Sequence, residues 1–115
     1  MLDIKEWLKE FKLRWLEADI DSILDLFTDD VEYWETPHKR LASKQEIKDE
    51  WAVINSQNKK KLFLKEFSSN NGKHTVLWSL KYEDNKGSHN WAGTYLLELN
   101  ENGQCNYFHQ TGEVE

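Results

Sequence analysis

A two-layer α+β domain, helices first and antiparallel sheet second, is the fold class predicted by this 115-residue sequence. Three observations carry it. Apolar residues fall at helical spacing as far as about Ile54, and from there on strand-like runs alternate with Asn/Gly turns: Asn70-Asn71-Gly72-Lys73, Asn85-Lys86-Gly87 and Asn102-Gly103. Glycine beside asparagine accepts the positive φ that tight hairpins demand, so these turns connect an antiparallel meander. The meander also carries tryptophan and tyrosine at alternating positions, and a sheet face of that kind must be covered by helices.

Each element has its own justification. Ile4, Leu8, Phe11 and Trp15 form the apolar stripe of a first helix, widened by Trp7, while Lys5, Lys9, Glu10 and Lys12 fill its other face. Asp19 offers an N-cap to a second helix in which Ile20, Ile23, Leu24 and Phe27 face inward, ending before Asp29-Asp30. The alternating segment Val31-Glu32-Tyr33-Trp34-Glu35 predicts a short strand. Ser43-Lys44-Gln45-Glu46 fits a capping box, and Ile47, Trp51 and Ile54 continue one face of the third helix it opens.

Parity assigns the strand faces. Val76, Trp78, Leu80 and Tyr82 share the side covered by the helices, and so do Trp91, Gly93, Tyr95, Leu97 and Leu99 on the next strand. Pairing Tyr82 with His89 places Leu80 opposite Trp91, Trp78 opposite Gly93 and Val76 opposite Tyr95, with Gly93 leaving room beside the Trp78 indole. On the last strand Asn106, Phe108 and Gln110 point inward, and Tyr107 and His109 outward. Leu62 to Phe67 has two solutions: a strict two-residue turn buries Phe63, Lys65 and Phe67, whereas one bulge exchanges them for Leu62, Leu64 and Glu66.

Composition narrows the partners. The length suits a single domain, 1–115, able to bury one core without disulfides or metal, and one proline and five glycines mark no boundary. The N-terminal residues lack a signal-peptide core and no apolar run approaches membrane-spanning length, which predicts a soluble, cytoplasmic protein with no membrane partner. A formal charge of -6 repels phosphate backbones, so no nucleic-acid partner is expected, and Lys59-Lys60-Lys61 reads as a solvated strand edge. The single cysteine, Cys105, cannot form an internal disulfide and reads as a small strand residue in a reducing compartment.

Trp15 and Leu16 lead into Asp19-Ile20-Asp21-Ser22-Ile23-Leu24-Asp25-Leu26-Phe27-Thr28-Asp29-Asp30-Val31. Pro37 follows, then a helix with Ile47 and Trp51, and Gly93 to Cys105 forms the hairpin into the last strand. In this order the chain resembles the nuclear transport factor two-like superfamily, and in particular its SnoaL-like and ketosteroid-isomerase-like members. The resemblance implies a cone-shaped two-layer domain, with N-terminal helices packed in a curved antiparallel sheet. It also implies a cavity for a small hydrophobic molecule and assembly as a homodimer.

The chemistry implied by that resemblance is only partly present. Ketosteroid-isomerase-like members use a tyrosine on the first helix, a carboxylate base at the end of the first strand and a protonated acid in the strand before the last hairpin. The matching positions are Phe11, Glu35 and Tyr95. Phe11 cannot donate a proton to an oxyanion, so steroid isomerisation is not expected, while Glu35 keeps a base and Tyr95 a donor. The histidines His38, His74, His89 and His109 show no metal-ligand spacing, and neither a metal nor a cofactor is expected. Trp78, Tyr82, Trp91, Tyr95, Phe108 and Gln110 are the expected ligand-binding residues. Three readings stay open: a domain that binds a small, largely apolar molecule, a lyase- or isomerase-type enzyme using Glu35 as base, and a dimeric interaction module with a filled cavity. In the third, Leu77, Leu96, Tyr107 and His109 form the contact face.

Overall fold

The computed structural model describes residues 2–115. Helix α1 spans Ile4–Leu16 and α2 spans Ile20–Leu24, followed by strands β1 (Phe27–Thr36) and β2 (Lys39–Leu41), helix α3 (Lys44–Trp51) and a 3₁₀ turn over Ala52–Ser56. Four long strands complete the chain: β3 (Asn58–Asn70), β4 (Lys73–Asp84), β5 (Gly87–Leu99) and β6 (Cys105–Val114). They form one curved, unclosed sheet of order β2-β1-β6-β5-β4-β3, with the helices against one face in a cone-like α+β arrangement. From β3 to β6 the meander is antiparallel, whereas β1 joins β6 in parallel, so the sheet as a whole is mixed.

Local chemistry explains the helix ends. Asp3 accepts from the Glu6 amide at 2.8 Å and Asp19 from the Ser22 amide at 3.4 Å, each satisfying one of the free donors of a first turn. Ser43 accepts from the Glu46 amide at 3.2 Å, while the Glu46 carboxylate reaches back to the amide of Ala42, one residue before the cap. Lys60, expected on the solvated edge, instead donates to the Trp15 carbonyl at 3.0 Å and satisfies the C-terminal end of α1.

The second helix is shorter than its apolar spacing predicts. Phe27 begins β1 because the chain has already left the helix after Leu24, and the Leu26 carbonyl accepts from the Trp7 indole at 3.0 Å and from the Cys105 amide at 2.8 Å. Those two donors replace helical partners and commit the chain to the sheet. The strand expected over Val31–Glu35 is therefore longer at both ends, and β2 was not visible in the sequence pattern.

The register between β4 and β5 is the one given by parity: Tyr82 opposite His89, Leu80 opposite Trp91, Trp78 opposite Gly93 and Val76 opposite Tyr95. For β3 the bulged solution holds. The ladder shifts between Glu66 and Ser68, leaving Leu62 at 3% exposure while Phe63 and Phe67 stand out at 58% and 69%. Asn71 and Gly72 both have positive φ, 51° and 79°, as a two-residue turn between right-twisted strands requires.

One detail about Gly93 needs correcting. It makes room for the backbone of β6, since a Cβ there would lie 1.9 Å from the Thr111 carbonyl oxygen, and the Trp78 indole lies instead over Gly112. Gly93 and Gly112 are direct partners across the two strands, so the backbones of β5 and β6 approach closely where two side chains are missing.

Candidate functional site

Inward-facing aromatics divide into a deep cluster and a lining. Trp7, Phe11, Phe27, Tyr33 and Phe108 are each within 1% of complete burial, and Phe108 stacks on Tyr33 with ring centroids 5.1 Å apart and planes at 8°. Phe108, expected to contact ligand, therefore belongs to this cluster behind the lining and not to the cavity wall. Packing among these rings fixes how α1 sits in the sheet.

Nearer the open end of the cone, the two layers diverge around a cavity of about 450 Å³. Its sheet side carries Trp78, Tyr82, Trp91, Tyr95 and Gln110, all five of the other residues expected to bind ligand. Trp78 stacks on Tyr95 at 5.4 Å, and its indole donates to the Thr111 carbonyl at 3.1 Å, which holds the ring flat against the sheet. From the helical layer come Trp15 and Trp51, packed edge to face at 5.5 Å, with Ile54 and Gln57 beyond them. The volume lies in the range of small-molecule sites, and the lining is mostly apolar with a few polar groups.

Glu35 reaches this cavity from β1 by strand parity. Tyr33 is buried, Trp34 turns to the outer face beside His109, and Glu35 returns inward. Burial raises its carboxyl from the ordinary 4.5 to about 7, with the neighbouring Glu50 adding to the rise, while the Tyr33 hydroxyl and Lys39 act in the opposite direction. One carboxyl oxygen, Oε2, is buried without a hydrogen-bond partner. Tyr95 is also pushed above the ordinary tyrosine range, first by burial and then by Glu35, so it stays protonated.

Several lining residues were not singled out in the sequence. Lys39 and Glu50 form an ion pair at the rim, Nζ to Oε2 at 3.1 Å. Lys39 lies on the unforeseen strand β2, and Glu50 is one of several charged residues on the polar side of α3, so neither gave a signal. Trp15 and Trp51 were expected to pack inward and do so, with the Trp51 indole donating to the Tyr33 hydroxyl at 3.0 Å. Trp15 and Gln57 each bring a buried polar atom without a partner, Nε1 and Oε1. Cys105 is fully buried and burial pushes its thiol up, which removes it as a nucleophile.

No protein-family model and no curated protein matches the chain. Solved structures do. A protein of unknown function from Exiguobacterium, described as NTF2-like, superposes with a TM-score of 0.74 at 15% identity, covering 93% of this chain and 98% of its own. The chain has the nuclear transport factor two-like fold. The Δ5-3-ketosteroid isomerase of a Mycobacterium species shares this fold with a TM-score of 0.77 at 12% identity, over 95% of each chain. A Mycobacterium tuberculosis protein solved in complex with estradiol-17β-hemisuccinate gives 0.75 at 16% identity, over 90% of this chain and 88% of its own. Among the described residues, no helix is long and apolar enough to cross a membrane.

Proposed function

We propose that this domain binds a small, largely apolar molecule in the cavity between its helices and sheet. The observation that carries this reading is the open volume itself: aromatics that could have filled the interior leave about 450 Å³ between two aromatic walls. The steroid complex and the ketosteroid isomerase among the proteins of the same fold support an apolar occupant. Trp78, Tyr82, Trp91 and Tyr95 supply flat apolar contact, and Gln110 and Glu35 supply orientation. Calorimetric titration with two neutral probes, estradiol and adamantanol, tests it. Saturable binding of at least one is expected, and Trp91→Ala should weaken it by about tenfold through lost stacking area. Absence of binding by both probes would remove a neutral apolar occupant.

A second reading rests on Glu35. A carboxyl near pKa 7 at the wall of a cavity is matched to proton abstraction near neutral pH, the property required of a general base. Under this reading the protein would catalyse deuterium exchange next to the carbonyl of a cyclic ketone in heavy water. Glu35→Gln should abolish that exchange, and exchange at the buffer rate in the wild type would remove the enzymatic reading.

Assembly as a homodimer through the outer sheet face belongs to the same proposal. Leu77 and Leu96 are 41% and 44% exposed there, and the aligned Tyr107 and His109 rings extend the patch toward Trp34. Sedimentation at micromolar concentration should give the mass of two chains. Leu96→Glu should shift it to one by placing a charge in the contact, and a single-chain mass for the wild type would count against the dimer.

A further inference from the structure

From the same cavity, and on the reading that it binds an apolar molecule, we infer that the occupant is a lipophilic cation: a protonated or quaternary amine on a compact hydrocarbon frame. The charge inventory of the wall comes first. Among the described residues, Glu35, Glu50 and Lys39 are its only charged ones, and Lys39 is already engaged with both Glu50 carboxylate oxygens, at 3.1 and 3.2 Å. No arginine or histidine lines the space. The remaining carboxylate, Glu35, is the deeper one, and its Oε2 is buried with no partner.

The aromatic content gives an independent reason. Trp15 and Trp51 on the helical layer, and Trp78, Trp91, Tyr82 and Tyr95 on the sheet, surround the volume with electron-rich rings. Ring faces attract cations, tryptophan most strongly, and the attraction grows when water is excluded. An aromatic enclosure with one unpaired carboxylate offers a cation both the ring faces and the counter-charge. An anion finds no free positive partner and is repelled by Glu35, while a neutral molecule leaves Glu35 to be protonated or to stay charged with only the Tyr33 hydroxyl and the shared Lys39 to offset its burial.

The surroundings of Glu35 agree. It faces Tyr33 on its own strand, Lys39 on β2, Glu50 on α3 and Tyr95 on β5, and the two tyrosines remain neutral because burial raises both. The Tyr33 hydroxyl and Lys39 favour the ionised form, but burial and Glu50 outweigh them, and Lys39 is shared with Glu50, so an incoming cation would be a further partner favouring ionisation. Binding should accordingly release a proton near pH 7 and tighten as the pH rises through that value.

Three probes with one hydrocarbon cage separate the possibilities: adamantylammonium, adamantanol and adamantanecarboxylate. At about pH 8.5 the ammonium should bind at least about tenfold more tightly than the alcohol, with the carboxylate weakest. At about pH 5.5 the gap between ammonium and alcohol should narrow to about threefold or less, and Glu35→Gln should narrow it likewise at about pH 8.5. Calorimetry at about pH 7 in buffers of different ionisation heat should register the proton released by the ammonium alone. Alcohol binding equal to or tighter than ammonium binding at the higher pH would overturn the cationic occupant while leaving the cavity reading intact. Failure of all three probes to bind would remove the cationic occupant, and failure of estradiol as well would remove the cavity reading. The wild-type pH comparison decides the matter even if the Gln variant does not fold.

Discussion

Gly93→Ala is expected to cost the domain more than about 4 kcal/mol, a large share of the stability of a domain this size. The reason is backbone, not side chain. A Cβ at this position would sit 1.9 Å from the Thr111 carbonyl oxygen and 2.6 Å from the Gly112 Cα, both on strand β6. Rotating a side chain cannot relieve that contact, so β6 would have to move away, and β6 is paired with β1 on its other edge. Gly112→Ala makes the informative comparison, because its Cβ would meet the edge of the Trp78 indole at 2.5 Å, which can yield by tilting the ring. It should cost less stability but disturb the Trp78 bond to the Thr111 carbonyl and reshape the cavity wall. Urea unfolding curves would read both variants, and a loss below about 1 kcal/mol for Gly93→Ala would show that β6 does not approach Gly93 as closely as described.

Glu35→Gln should act in the opposite direction, stabilising the protein at pH 8 by about 1 to 3 kcal/mol. In the unfolded chain this carboxyl has its ordinary value of 4.5, whereas burial in the folded protein raises it to about 7. Between those values the folded state holds a proton that the unfolded state has released, so the Glu35 contribution to stability falls as pH rises and is fully lost above the upper value. Glutamine removes the titration. Wild type and variant should therefore be equally stable near pH 4.5 and separate progressively toward pH 7, with other ionisable groups cancelling in the difference. Parallel stability curves over that range would show that Glu35 is not held in a desolvated position.

Much of this arrangement is legible in the sequence because the relevant signals are local or strictly periodic. The β4–β5 register follows from one Asn/Gly turn and the alternation of Val76, Trp78, Leu80 and Tyr82, and a slip of one residue would have turned those side chains to water. Five of the six expected aromatic and amide ligand contacts consequently lie together on the cavity wall. Phe108 does not, since parity fixes the face of a strand but not the depth along it, and depth is set by where α1 docks. The swing of Phe27 from helix to strand escaped for a similar reason. Its cause is a carbonyl at Leu26 shared by Trp7 and Cys105, two residues remote in sequence, and no local pattern announces such a meeting. Lys39 and Glu50 were invisible as a pair because each looks like an ordinary surface charge until β2 and α3 are brought side by side.

The parallel pairing of β1 with β6 bears on the order of assembly. Each of the three meander turns closes over a handful of residues, so β3 to β6 can zip together by successive short loops, with little chain entropy lost at each step. Strand β1 has no such route to its partner: Tyr33 meets Phe108 only after nearly the whole chain between them has been gathered in. The carboxylate of Glu35 travels on that strand, two residues beyond Tyr33. On loop length alone the meander is expected to form early and β1 to join it late, which would bring Glu35 to the cavity only once distant parts of the sequence have met.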